Sequence, residues 1–277
     1  MMMLQMKMNE TNNKIQALQG FNMYFDQVTS VFKAIYETNN NINLDELSTI
    51  TGLNRAKASI LLNFLADLGL SQKRTLKGTK LGKIIHTYDD FLQNDGTLWL
   101  MHYLQSTNEY LVIWNRVMNH LYTEDQVTRG GLPALFEDLK DILSDYTYKH
   151  HIGKEIRIIL NAYTNQRLSK LNILETEDDH YIVHRNSDIP DLILLCAIIL
   201  YRDKHYPGAT AVDISELCTA YNSPGKIFIL DEHIIRSKIE SLKNTGIINI
   251  ESRGDLDQIR FREELNFEAI LEEYYRG

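Results

Sequence analysis

LDELSTITGLNRAKASILLNFLADLG, residues 44–69, decides the fold. Leu44, Leu47 and Ile50 fall on one face of a short helix over 44–50, because three- and four-residue spacings return to the same side of a 3.6-residue turn. Thr51-Gly52-Leu53-Asn54 breaks the pattern with a turn. A second helix over 55–68 then carries Ile60, Leu61, Phe64, Leu65 and Leu68 inward, and Gly69 is its expected stop. Two helices joined by a short glycine-containing turn form a helix-turn-helix. In that geometry the start of the second helix faces the DNA groove, which here presents Asn54, Arg55, Lys57, Ala58 and Ser59.

Outward from this stretch, residues 21–37 read as an amphipathic helix with Phe25, Val28, Val31, Phe32 and Ile35 on its apolar stripe. On the other side, residues 71–86 hold Lys73, Arg74, Lys77, Lys80 and Lys83 and no carboxylate. Residues 53–88 contain seven Lys or Arg against Asp67 alone, a local charge of +6 in a chain whose net charge is −8. DNA-binding proteins hold phosphates with such basic stretches. The competing reading is a solvated face with no partner.

Two later units repeat the layout. Residues 132–143 and 153–163 are helical by period, and 173–184 form a hairpin. Residues 192–203 are nearly all apolar and make a buried helix. A short helix over 212–221 follows, then a turn at Asn222-Ser223-Pro224-Gly225. Asp231 is placed as the N-cap of a helix over 234–244 that ends at Gly246. A hairpin of 247–251 and 258–262 comes next, then an acidic helix over 263–275. The expected fold is mainly α with small β-hairpin wings: tandem winged helix-turn-helix modules around a helical middle segment. The expected divisions are 1–20, disordered; 21–90, a first winged module; 91–190, a helical middle with a second wing; and 191–277, a C-terminal winged helix with its acidic terminal helix.

Composition narrows the setting. The 277 residues are 44% hydrophobic and 24% charged, with 4 Pro and 14 Gly, which argues against a sandwich or a long linker. Cys196 and Cys218 are too few for a disulfide framework and imply a reducing cytoplasm. The longest apolar run, 192–201, falls far short of the roughly 20 residues that span a bilayer. A soluble, cytoplasmic protein with no membrane partner and no leader is expected. Its acidic body confines DNA binding to local patches.

Three segments carry a family resemblance: Asp95-Gly96-Thr97-Leu98-Trp99-Leu100-Met101-His102-Tyr103-Leu104 followed by Trp114-Asn115 and Asn119-His120; Ser223-Pro224-Gly225-Lys226-Ile227-Phe228-Ile229-Leu230-Asp231-Glu232; and Leu271-Glu272-Glu273-Tyr274-Tyr275. In order and spacing they resemble the domain of unknown function family 4007 (DUF4007), across residues 21–275. That family includes SspB-like DNA nickases of the SspABCD single-strand phosphorothioation and phage-defence system. The resemblance implies double-stranded DNA and other phosphorothioation proteins as partners, and Mg²⁺ or Mn²⁺ if the chain nicks. Members often carry a Gly-His-Glu-Thr-Phe-like segment near the N-terminus, where this chain has Gly20-Phe21-Asn22-Met23-Tyr24-Phe25. If the missing histidine and acid do chemistry, this member binds DNA without cutting it.

No P-loop, zincin helix or Cys-x-x-Cys is present. Asp95 with His102, two turns on, is one candidate catalytic pair, although Asp95 also suits a helix cap. Asp231 with Glu232 is another, with capping and the helix dipole as the competing explanation. His180 and His184 share a strand face but stand roughly 13 Å apart, too far to ligate one ion. His150-His151 is no better, so no metal site is assigned. Trp99, Tyr103, Tyr110, Trp114 and Tyr122 suit either base stacking or the core. For DNA binding the candidates are Arg55, Lys57 and Ser59 in the groove and Lys73, Arg74, Lys77 and Lys80 on phosphates. Lys226, Arg236, Lys238 and Lys243 are candidates in the C-terminal unit. Two other classes compete: a nuclease proper, and a non-catalytic adaptor that docks partner proteins on winged-helix scaffolds.

Overall fold

The computed structural model describes residues 14–38, 42–73, 75–185, 188–253, 256–262 and 265–277. Within them the chain is mainly helical, with two three-stranded antiparallel sheets. The decisive stretch folds as α2 (Leu44–Thr51) and α3 (Arg55–Asp67), preceded by α1 (Phe25–Glu37). Local chemistry sets these ends. The Asn43 side chain accepts from the Asp45 and Glu46 amides while Glu46 reaches back to the Asn43 amide, a complete capping box. Gly52 closes α2 at φ +68°, a left-handed backbone that costs a glycine least. Asn54 then caps α3 by accepting from the Lys57 amide at 2.9 Å.

Gly69 ends α3 at φ +73°. Its amide bonds the Ala66 carbonyl and the Leu70 amide bonds the Leu65 carbonyl, so the last carbonyls are satisfied and buried Leu70 folds back beneath the helix. The basic stretch beyond it forms no strands among the described residues. It makes one antiparallel bridge, Ser71 to Gly78, and then enters α4 (Lys80–Tyr88), capped by Thr79.

The middle begins with α5 (Asp95–Ser106) and α6 (Val112–Leu121). Next come β1 (Gln126–Thr128), a 3₁₀ segment (Leu132–Leu139), a π turn (Thr147–His151) and α7 (Ile152–Thr164). A second 3₁₀ segment (Arg167–Leu171) leads to the hairpin of β2 (Leu174–Glu177) and β3 (His180–Val183). The last third runs α8 (Asp191–His205), β4 (Ala211–Asp213), α9 (Ile214–Thr219), α10 (Pro224–Ile227), α11 (Glu232–Asn244), β5 (Ile248–Arg253), β6 (Leu256–Phe261) and α12 (Phe267–Arg276). Both sheets share one plan. A short strand precedes the helices, and the following hairpin closes on it, in orders β1-β3-β2 and β4-β6-β5.

Several local expectations shift. Val212 lies in β4, paired with Ile259, so the helix expected from 212 begins only at Ile214. The turn expected at 222–225 gives way to α10, with Pro224 in its first turn and the Ser223 hydroxyl capping it. Residues 14–20, expected to be disordered, are packed: Leu18 is 0% exposed, Ala17 2%. Residues 1–13 lie outside the described set.

Helix α12 ties the C-terminal unit back to the first by packing against both α8 and α4. The Tyr274 hydroxyl accepts from the Gly96 amide at 3.1 Å and donates to Asn94, while Tyr275 meets the Thr97 hydroxyl at 2.6 Å and stacks on Tyr88. A methyl on Gly96 would fall 2.3 Å from the Tyr274 ring. Gly96→Ala is therefore expected to lift α12 and destabilise the protein by about 1–3 kcal/mol in a urea titration. Unchanged stability would show that the clasp is not tight.

Candidate nucleic-acid interface

The solvent side of α3 is narrower than its sequence suggests. Arg55 and Ala56 are exposed, Lys57 and Ser59 are half-buried, and Asn63 is exposed again one turn later. Arg55, Ser59 and Asn63 thus form an i, i+4, i+8 stripe. Ala58, expected to face outward, is 0% exposed and belongs to the buried side of the helix. Arg55 pairs with Asp45 at 2.6 Å, but both side chains are largely exposed (64% and 72%), so the pair is weak and easily exchanged for a phosphate.

Lys57 leaves the helix toward two aromatic rings, its Nζ 5.1 Å from the Phe21 centroid and 5.4 Å from that of Tyr24. Both rings are 44% exposed. Lys73 likewise lies over Tyr110 at 5.0 Å. Lys73, Lys77 and Lys83 are exposed. With Lys57, they make no ion pair to a carboxylate among the described residues. Lys80 is exposed and pairs loosely with Glu268 of α12 at 3.5 Å. Arg74 lies outside the described residues.

The C-terminal candidates sit differently. Arg236 is held between Glu232 and Asp257. Lys238, 14% exposed, donates to the Ile189 carbonyl at 2.6 Å and to Asp191 at 3.0 Å, tying α11 to the start of α8. Lys243 pairs with Glu240 at 3.0 Å. Lys226 is half-buried against the Tyr221 ring, and burial lowers its pKa. Their charges are largely answered within the protein.

The candidate catalytic residues are not gathered at one place. Asp95 is exposed in the first turn of α5, and its neighbour Asn94 is the residue that caps the helix. His102 is 0% exposed. Its Nε2 lies 2.9 Å from the Ile227 carbonyl, which only accepts, so Nε2 carries the proton. Nδ1 then accepts from the Tyr163 hydroxyl at 2.5 Å. Burial pushes this imidazole down to about 4, so it is neutral at pH 7. Asp231 pairs with Arg185 at 3.2 Å, and its side chain makes no cap bond to α11. Glu232 pairs with Arg236. His184 and His180 turn to separate carboxylates, Glu175 at 2.9 Å and Glu177 at 3.3 Å.

Among the described residues no group of three or more His, Cys, Asp or Glu side chains is arranged to hold a metal ion. Among the described helices, none is long and apolar enough to cross a membrane. Of the aromatic group, Trp99, Tyr103 and Trp114 are at most 2% exposed and belong to the core, whereas Tyr110 reaches the surface.

The neighbours of Lys57, Phe21 and Tyr24, escape a sequence reading centred on the apolar stripe of α1. They precede that stripe and look like its continuation.

Fold and surface together define a mainly helical protein with two like-ordered small sheets and one lysine-rich flank on its first helical unit. The chain belongs to the family described as "Protein of unknown function (DUF4007)", whose model matches residues 56–275, as the three quoted segments imply. A crystal structure of SspB shares the fold at TM-score 0.77, with 16% identity over 94% of this chain and 87% of that one. A magnesium-ion-bound SspB crystal structure gives TM-score 0.76, 15% identity, and coverage of 95% and 88%. At these identities the likeness is one of fold. A comparison with curated protein sequences finds no match.

Two buried ionisable groups give the stability opposite pH slopes. His102 titrates near 4 in the fold against an ordinary 6.5, so the unfolded chain binds more protons between these values and stability falls as pH drops through that window. Glu155, 1% exposed, is pushed up to about 7 from 4.5 by burial. The fold therefore holds its proton longer, and stability falls as pH rises from 4.5 through 7. Glu155→Gln keeps an acceptor for the Ala17 amide, which now donates to Glu155 at 2.9 Å, and removes the charge. It is expected to stabilise the protein at pH 8 by up to about 3 kcal/mol, with the gain vanishing below pH 4.5. Urea titrations at the two pH values check this, and a pH-independent difference would contradict it.

Proposed function

We propose that this protein binds double-stranded DNA within a phosphorothioation-linked defence system, gripping it with α2, α3 and the basic segment up to α4. The observation that carries the reading is the pairing of an exposed α3 stripe with Lys57, Lys73, Lys77 and Lys83, four cations left without carboxylate partners among the described residues. A helix-turn-helix sets the start of its second helix in the major groove, and flanking lysines neutralise phosphates. Arg55 and Ser59 are then the groove residues, and Lys73, Lys77 and Lys80 hold the phosphates.

We read the two sheets as wings. In a winged helix a first strand lies between the first two helices and the hairpin follows the third. The sequence α8, β4, α9, α11, β5, β6 has that arrangement, and β1 with β2 and β3 repeats the strand order. The defence-system assignment is supported by family membership and by the SspB-like fold. Strand nicking remains the finer alternative. It is separated from simple binding by incubating the protein with supercoiled plasmid, with and without Mg²⁺ or Mn²⁺. Nicked circles would assign the activity, and an unchanged plasmid would leave a binding protein.

Replacing Lys73, Lys77 and Lys83 together by Ala is expected to weaken duplex binding. The slope of log affinity against log salt should flatten by about 0.9 for each phosphate no longer neutralised, so by no more than about three. Fluorescence anisotropy across a salt series measures both quantities, and an unaltered slope would remove DNA from this face.

A further inference from the structure

The segment before α1 is built to hold two aromatic rings out in solvent. Lys14 pairs with Asp67 at the end of α3 at 2.7 Å, and its amide bonds the Tyr110 carbonyl. The Ala17 amide is fixed to Glu155, and Leu18 is fully buried. Gln19 (φ +48°) and Gly20 (φ +83°) then take left-handed backbone in succession, a costly turn for the glutamine. A Cβ on Gly20 would lie 2.4 Å from the Lys154 ammonium. The turn delivers Phe21 to the surface. Met23 (1% exposed) and Phe25 (4%) anchor the chain again, leaving Tyr24 outside between them.

The backbone carrying both rings is thus anchored on either side, and the Lys57 ammonium at the start of α3 lies over them. A ring pair anchored on both sides by buried neighbours loses little freedom when something stacks on it. Apolar contact alone would be met by any hydrophobic partner, but a lysine shared by two exposed rings favours a ligand with both a π face and a negative charge. A nucleotide has both. The same pairing recurs toward the far end of α3. There Lys73 covers Tyr110, beside the Asn108 side chain that donates to the Asp67 carbonyl.

We propose that Phe21 and Tyr24, with Lys57 over them, form a stacking site for an unpaired DNA base at the edge of the proposed duplex-binding face. The proposal rests on the DNA-binding reading and names its substrate more closely: duplex with a locally opened strand. Base–aromatic stacking is sequence-tolerant because every base offers a π face, and the lysine serves the adjoining phosphate.

The test compares three fluorescein-labelled DNAs by anisotropy: a paired duplex, the same duplex with a short central bubble, and the single strand. Wild type is expected to bind the bubble more tightly than the duplex. Phe21→Ala with Tyr24→Ala should lose roughly tenfold on the bubble while duplex affinity is unchanged. Phe21→Trp should keep the preference and show quenched emission on the bubble. Both rings are exposed, and a thermal melt of each variant confirms that the fold persists. Equal losses on duplex and bubble, or no loss on either, would overturn the stacking site. If bubble binding depends on the two rings while the Lys73, Lys77 and Lys83 variant leaves duplex binding untouched, stacking stands and the groove reading fails. No binding to any of the three DNAs removes both.

Discussion

The structure depends on keeping one histidine neutral in its interior. His102 lies on α5, and its two ring nitrogens are committed to Tyr163 of α7 and to the carbonyl of Ile227 at the end of α10. Trp99, Tyr163 and Phe228 set their rings against it. A neutral imidazole satisfies both partners at once. A protonated one would present a second N–H to a hydroxyl that already donates, with its charge buried away from solvent. Helices from the middle and last thirds of the chain thus meet at one side chain whose protonation state is set by burial.

Around this point lies a second polar knot. Asn222, at φ +63°, places its carboxamide oxygen where Asn115 and Asn119 donate at 2.7 and 2.9 Å, and its backbone N–H donates to the Asn119 side chain. Tyr103 donates to the Asn222 carbonyl, and Tyr221 donates to Asn115. A buried network of this kind is favourable only when every member is paired, and then it specifies one arrangement of the elements it joins. The three segments that carry the family resemblance meet here and at the Gly96 clasp. Their shared role is to fix α5, α6, α10 and α12 against one another. Motifs that look like chemistry in the sequence act largely as joints in the fold.

That accounts for how much could be read in advance. The helix pairs, both hairpins and most element ends follow from periodicity and from Asn and Gly at the caps, which act over a few residues. Residues 44–69 are locally determined in this sense. The third strand of each sheet was not legible: Gln126–Thr128 and Ala211–Asp213 are three residues each and gain their structure from hairpins far along the chain. Asp95 shows the same limit at a candidate site. Asn94 and Asp95 are both good caps by type, and Asn94 takes the role, bonding the Gly96 and Thr97 amides. His102 read as half of a pair because helical spacing places it near the Asp95 face. Spacing says nothing about which face is covered, and the α5 helix is covered nearly all round.

Electrostatics then separates residues that composition treats alike. Candidate cations in the first and last units are of the same residue types, but the chain answers them differently. Arg236, Lys238 and Lys243 each have a carboxylate within 3.0 Å, and for the largely buried Lys238 moving onto a phosphate would break an existing pair. Lys57, Lys73, Lys77 and Lys83 have solvent or aromatic rings as neighbours, and an aromatic quadrupole orients a cation without cancelling it. An acidic body repels a polyanion on average, and a cluster of uncompensated lysines gives one flank a local attraction. A net charge of −8 therefore adds directionality to the basic segment beside α3. The position of those lysines relative to the α3 stripe then sets how a polyanion meeting this flank would be oriented.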